Sequence, residues 1–203
     1  MPLPRSMVAG KTPLSSGGLA PLGAAAAPAG GATPVAPGVD SIAFAMQTQL
    51  QDNWCWAATA TSVSHFYDCM SGWTQCILAN SILPLPGGED CCTNGTVSAC
   101  DVPWYLDKAL NATSNLFDVR SGVVSFPDLT DLIASGNPLG ARIGWTGGGG
   151  HFVVLHGWKK TTTGDEYVDV ADPDIGSSTL LYNGFVSGYR TVGSWTHSYW
   201  TQA

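Results

Sequence analysis

The stretch Gln49-Leu50-Gln51-Asp52-Asn53-Trp54-Cys55-Trp56-Ala57-Ala58 decides how this chain is read. Polar, turn-forming residues give way at Cys55 to a run that is apolar at helical spacing. The pattern predicts a helix over 54–67 with Asn53 as N-cap. Ala57, Ala58, Val63 and Phe66 make much of it apolar, as suits a central helix packed on several sides. A cysteine at such a start sits at the positive end of the helix, where N–H groups favour an anion. There a thiol pKa of about 8.5 can fall to roughly 3.5–7.5, and the thiolate is the nucleophile. The plainer alternative is a small buried residue at a helix start. The rest of the chain has to choose between them.

Upstream, residues 1 to about 40 are Ala, Gly, Pro and Ser with almost no aromatic side chain. Such a segment cannot bury enough apolar surface to offset its ordering entropy, and it reads as a disordered leader. Arg5 and Lys11 are basic, but Gly and Pro interrupt every apolar run after them, so the segment reads as a non-classical leader or pro-segment with its export route open. The alternating run 41–46 is expected to be an edge strand.

Downstream, 74–83 is a second short helix, stopped by Pro84-Leu85-Pro86-Gly87-Gly88. A third is expected from Asp101 or Val102 to about Asn111, with Pro103 in its first turn. Ser125-Phe126-Pro127-Asp128 is a helix start, and Gly136-Asn137-Pro138 its end. Then the pattern becomes alternating. Residues 139–145, 151–158 and 167–171 read as strands, and 185–201 supplies one or two more. Helices first and strands second argue an α+β fold.

The composition narrows the function. Only 11% of residues are charged, against the usual quarter, and there are 25 Gly. That is an extracellular style of surface. The net charge of −7 argues against nucleic acid or an anionic membrane as the main partner. No run approaches the roughly 18 apolar residues needed to span a membrane. Five cysteines (Cys69, Cys76, Cys91, Cys92, Cys100) cluster after Cys55. The vicinal pair Cys91-Cys92 lacks the gap of zinc ligands and no His pair flanks it, so disulfides in an oxidising compartment are expected rather than a metal. With Cys55 free, at least one other is left over. Asn94-Gly95-Thr96 and Asn111-Ala112-Thr113 are formal glycosylation sequons, relevant only in a eukaryotic host.

A cysteine nucleophile needs a base, and the base an orienting group. His151 opens an apolar strand directly after Gly147-Gly148-Gly149-Gly150, where bare backbone lets a substrate chain approach. His156 points to the opposite face, and His65, His156 and His197 read as ordinary polar residues. Asp172 ends the next strand before Pro173, so its carboxylate is exposed at a strand tip. If the two strands are antiparallel neighbours, that tip lies beside His151, where an acceptor would fix the tautomer and support the imidazolium. Asp169 is the rival and faces the other side. An oxyanion hole needs two donors. The Cys55 N–H is one; Gln47, Gln49 and Gln51 all precede it, and spacing alone does not choose the second.

Gln49, five intervening residues and Cys55-Trp56-Ala57 resemble the signature of the papain-like cysteine peptidases. Gly150-His151-Phe152-Val153-Val154 followed by Asp172-Pro173 is similar to the compact bacterial branch, which includes effector proteases of plant pathogens and leader-cleaving domains of peptide exporters. Cys100-Asp101-Val102-Pro103-Trp104 also resembles a segment of papain itself. The resemblance covers about Phe44 to the C-terminus. It implies a papain-like two-lobed fold over 41–203, with a helical lobe at about 54–136 and an antiparallel sheet lobe at about 139–203. It implies Cys55 as nucleophile, His151 as base and acid, Asp172 as orienting group and Gln49 in the oxyanion hole. Papain has a further cysteine close before its nucleophile, where this chain has Asn53-Trp54; its orienting residue is Asn; and this leader is too short and featureless for papain's helical propeptide.

The function expected is a secreted or otherwise extracytoplasmic cysteine endopeptidase, monomeric, acting on protein or peptide substrates through a Cys55 thioester without metal or organic cofactor. Trp54, Trp145, Gly149 and Gly150 are expected to line the substrate rim, which would suit a small or glycine-type residue. The same triad also serves acyl transfer and glutamine deamidation, and a catalytically silent peptide-binding module would follow if Cys55 were disulfide-bonded.

Overall fold

A computed structural model of the protein describes residues 35–203. The leader expected over 1–40 lies mostly outside these residues. Its last few belong to the sheet, because the first strand, β1 (Gly38–Ser41), starts within it.

One antiparallel sheet of seven strands organises the chain. After β1 come β2 (Leu116–Ser121), β3 (Leu139–Trp145), β4 (Gly150–Lys160), β5 (Glu166–Asp172), β6 (Gly176–Leu181) and β7 (Gly193–Thr201). The spatial order is β2-β7-β3-β4-β5-β6, and β1 pairs with the far half of β4, beyond the end of β3. The helices are α1 (Cys55–Tyr67), α2 (Gln75–Ile82), α3 (Leu106–Ala112), α4 (Phe126–Ala134) and α5 (Tyr182–Gly188).

Strand alternation sorts two cores onto the two faces of the sheet. Phe152 and Val154 of β4 turn toward α1, α2 and α3, joining Trp54, Trp56, Leu78, Leu106 and Leu110. Val153 and Leu155 turn the other way, with Leu139, Ala141, Ile143 and Trp145 of β3, to meet α4 and α5. The helices therefore divide as α1–α3 against α4–α5. α4 is not part of the helical lobe that 54–136 was expected to form; Phe126, Leu129 and Ile133 bury against the opposite face of the sheet.

Some expectations hold to the residue. β3 occupies 139–145, and α4 is capped by Ser125, whose Oγ accepts the Asp128 N–H at 3.3 Å. Thr74 caps α2 in the same way. Others shift for physical reasons. The strand read over 41–46 ends at Ser41, because Phe44 and Met46 leave the sheet edge to pack into the helical core. α3 starts at Leu106 rather than at 101 or 102. The Cys100 and Val102 carbonyls accept the indole N–H groups of Trp54 (2.8 Å) and Trp56 (3.0 Å), which holds that segment out of a helix. The aromatic run 185–201 divides into α5 and β7, since Tyr182 and Phe185 are buried from a helix before the strand begins.

Four of the six cysteines are paired, Cys76 with Cys92 and Cys91 with Cys100, so the vicinal pair reaches to two different partners. Cys55 and Cys69 are free, the first buried and the second exposed. The paired loop supports the approach to α1. Asp101 Oδ1 accepts the Asn53 N–H at 2.8 Å, and the Asp101 carbonyl accepts the Asn53 side-chain amide at 3.2 Å.

Candidate active site

Cys55 is the first residue of α1. Asn53, expected as the cap, is engaged by Asp101 instead. The cap position falls on Trp54, with no side-chain cap and no acid in the first turn. The N-terminal amides are thus left without a side-chain anion, which keeps the dipole's positive end available to the sulfur and to an incoming oxygen.

α1 lies across β4, with Thr59 Oγ1 donating to the Phe152 carbonyl at 3.5 Å. Thr59 is one turn after Cys55, and Phe152 follows His151, so this packing brings the sulfur to the ring. His151 is fully buried. Its Nε2 meets Asp172 Oδ1 at 2.7 Å, while Nδ1 makes no hydrogen bond to nitrogen or oxygen and is left for the Cys55 side. β5 runs antiparallel to β4 with a register slip after Leu155, and its end delivers Asp172 beside the start of β4.

Burial opposes a charge on His151, but the Asp172 hydrogen bond, interaction with the Cys55 thiol and the charges of both outweigh it and push the pKa up to about 10. Burial likewise works to raise the Asp172 carboxyl. The His151 bond and charge, the Tyr189 hydroxyl and the Asp174 N–H hold it below the usual carboxylate range. The arrangement favours an imidazolium at His151, held between the Asp172 carboxylate and the Cys55 side chain.

A second circle of residues holds the acid. The Tyr189 hydroxyl donates to Asp172 Oδ2 at 2.5 Å, and the Asp174 N–H to Oδ1 at 2.7 Å. Burial first, and then the Asp172 charge, raise the Tyr189 pKa, so the phenol stays a donor. Arg190 pairs with Asp174 at 2.9 Å and stands 3.8 Å from Asp172 Oδ2. Arg190 and Thr191 both have positive φ, 50° and 72°, in the tight turn that presents them. Such strain in non-glycine residues persists only where the surroundings impose it. Trp145 closes the circle, stacked on His151 (centroids 6.1 Å apart, 23°) and on Tyr189 (6.4 Å, 23°). None of Tyr189, Arg190 and Asp174 stood out in the sequence, where tyrosines and turn charges carry no spacing signal.

The remaining expected residues divide. Trp54, placed on the rim from sequence, is 1% exposed and bonded to the Cys100 carbonyl; a side chain so enclosed cannot line an open groove. Trp145 is also buried and forms a cover over His151 rather than an open rim. Gly149 and Gly150 do flank His151 in a half-exposed turn, with Gly148 and Gly149 at φ 92° and 81°, a region that favours glycine. Asp169 accepts Thr179 Oγ1 on the other side of β5. His156 meets the Ile42 carbonyl and His65 the Trp73 carbonyl; His197 lies on β7.

Among the glutamines, Gln47 Oε1 accepts from Thr61 and Gln75, and Gln51 packs on Gly95 in the disulfide loop. Gln49 lies on the turn before Cys55, donating to the Gln51 (3.0 Å) and Asp52 (2.9 Å) carbonyls, with its buried Oε1 unpartnered. Its backbone N–H donates to the Pro173 carbonyl at 2.9 Å, joining this turn to the residue after Asp172.

A pocket of about 480 Å³ lined by Tyr67, Trp73 and Asn115 sits at the opposite end of α1, about 18 Å from Cys55 at helical rise, and takes no part in this cluster. Among the described residues, no group of three or more His, Cys, Asp or Glu is placed to hold a metal ion.

Residues 38–189, three quarters of the chain, match the family model described as papain-like cysteine protease AvrRpt2. No curated protein matches the chain.

Proposed function

The chain belongs to the papain-like cysteine protease AvrRpt2 family, and on that footing we propose that it is an endopeptidase whose nucleophile is Cys55, with His151 as base and acid and Asp172 as its orienting group. The observation that carries the reading is the division of the His151 ring: Nε2 engaged by Asp172 at 2.7 Å, Nδ1 uncommitted on the side of Cys55.

In the proposed cycle the Cys55 thiolate attacks the scissile carbonyl carbon. The oxygen takes the negative charge at the N-terminus of α1, supported by the Cys55 N–H. Gln49 is the side-chain donor, exchanging one of its two carbonyl partners for that oxygen. As the C–N bond breaks, His151 gives its Nδ1 proton to the departing amine, leaving a thioester on Cys55. A water then attacks the thioester and gives its proton to His151, and the acid product leaves with Cys55 restored. Asp172 holds the ring in one tautomer throughout. Gly149 and Gly150 offer bare backbone to the substrate chain.

Protein is the substrate of a protease. We further read this one as a monomer working outside the cytoplasm, since two disulfides near the site are at home in an oxidising compartment. No described helix is long and apolar enough to cross a membrane.

The test is a peptide digest with the wild-type protein and Cys55→Ala. New N-termini should appear only with the wild type, the two proteins should share one circular-dichroism spectrum, and iodoacetamide should label Cys55 at neutral pH. Release of ammonia without new N-termini would point to deamidation instead. A Cys55 no more reactive than an unfolded thiol would end the reading.

A further inference from the structure

Six Lys and Arg side chains lie among the described residues. Lys108, Arg120, Lys160 and Arg190 pair with carboxylates. Lys159 is exposed to water. Arg142, half-buried on β3, has no carboxylate within 4.0 Å in that set, although the chain as a whole is acidic. Its Nη1 donates to Thr196 Oγ1 at 3.0 Å and its Nη2 to the Gly149 carbonyl at 3.2 Å. A guanidinium has five N–H donors, so three remain. A partly desolvated cation without a counter-charge is costly unless something else supplies the anion.

The position of this charge gives it a use. Arg142 is in register with Phe152, the residue after His151, and its guanidinium reaches the carbonyl two residues before His151. The same face of the sheet is covered by α3 at the other end of β3, where a side chain on Gly140 would meet Leu106. At the His151 end it is not: Arg142, Gly144, Gly150 and Thr196 are all half-exposed. Gly144 and Gly150 make a flat bed for the fork, since a Cβ on either would come within 3.3 and 2.8 Å of the guanidinium. The field of the charge reaches along β7, where burial and then Arg142 lower the His197 pKa.

We propose that Arg142 is a carboxylate-binding subsite of the cleft, selecting peptides with an Asp or Glu side chain within three residues of the scissile bond. A carboxylate there completes a bidentate pair with the free N–H donors. This rests on the peptidase reading of Cys55.

The test compares kcat/KM for quenched peptides that differ only in Glu against Gln, placed in turn at each of the three positions on either side of the cleaved bond. The acidic peptide should be favoured at least tenfold at one position, and less so at high salt. Arg142→Gln should bring that ratio to about one, and Arg142→Glu should favour Lys at the same position. Arg142→Lys, which keeps a cation beside the Gly149 carbonyl, should retain part of the preference and guards against a folding failure in the other two. A ratio near one everywhere in the wild type overturns the subsite alone. So does an Arg142→Gln protein that loses acidic and neutral peptides in equal proportion, because Arg142 then only supports the glycine turn. Failure of the wild type to cut any peptide overturns the peptidase reading and the subsite with it.

Discussion

Tyr189 and His151 hold the two oxygens of one carboxylate: the phenol donates to Asp172 Oδ2 at 2.5 Å, and the ring meets Oδ1 at 2.7 Å. The acid is thus fixed in rotation before it fixes the histidine. Tyr189→Phe removes one buried hydrogen bond to a charged group, a loss of about 1.5–3 kcal/mol. kcat is expected to fall roughly 10- to 100-fold with KM little changed. Steady-state kinetics on one peptide, normalised to the fraction of Cys55 titrated by an irreversible alkylating inhibitor, separates this from a general loss of fold, which would lower the active fraction and leave the turnover of what remains intact.

The pH dependence follows from the same pair. His151 is raised from 6.5 to about 10, so its contribution to stability is complete below pH 6.5 and is lost as pH rises through about 10. Asp172 is lowered from 3.8, so its contribution is present above 3.8 and is lost as pH falls through its folded value. Denaturant unfolding of the wild type and Asp172→Asn should differ most between these limits and converge outside them. The alkaline limb of Cys55 alkylation should move to lower pH in Asp172→Asn, which no longer holds the proton on the ring.

Gly150 precedes His151 with no room for a side chain. A Cβ there would stand 2.8 Å from both the Arg142 Nη2 and the Ile143 carbonyl oxygen. The arginine can move but the backbone of β3 cannot. Gly150→Ala is expected to cost about 1–3 kcal/mol of stability and to lower kcat/KM at least tenfold by displacing the start of β4. Thermal unfolding and peptide cleavage measured on one preparation check both.

The Cys91–Cys100 bridge closes the loop whose Asp101 holds Asn53. Replacing both cysteines by Ser should cost about 2–3 kcal/mol on the loop-entropy account and weaken catalysis, although neither sulfur belongs to the proposed triad. Titrating the wild type with reductant, which opens Cys76–Cys92 as well, should give at least this loss, measured as activity beside the free-thiol count.

Legibility in the sequence followed burial. β3 and the Ser125 cap could be read to the residue because one alternates apolar side chains into a core and the other has a hydroxyl where a helix needs an acceptor. β2 and β6 escaped because they are edge strands with little inward apolar pattern: Phe117 and Val119 face solvent, and β6 begins Gly-Ser-Ser-Thr. That Cys55, His151 and Asp172 come together was legible from a helix start, a glycine run and a strand stop before proline. Tyr189 was not, since it reaches Asp172 only through the turn after α5, a short helix of low propensity that its buried Phe185 holds in place. Trp54 misled for a related reason: adjacency to Cys55 in sequence says nothing about which way an indole points.

Gln49 and Pro173, joined from amide to carbonyl at 2.9 Å, tie the peptide leading into Cys55 to the peptide leaving Asp172. That bond couples the turn before α1 to the end of β5, so a displacement of either segment is resisted by the other.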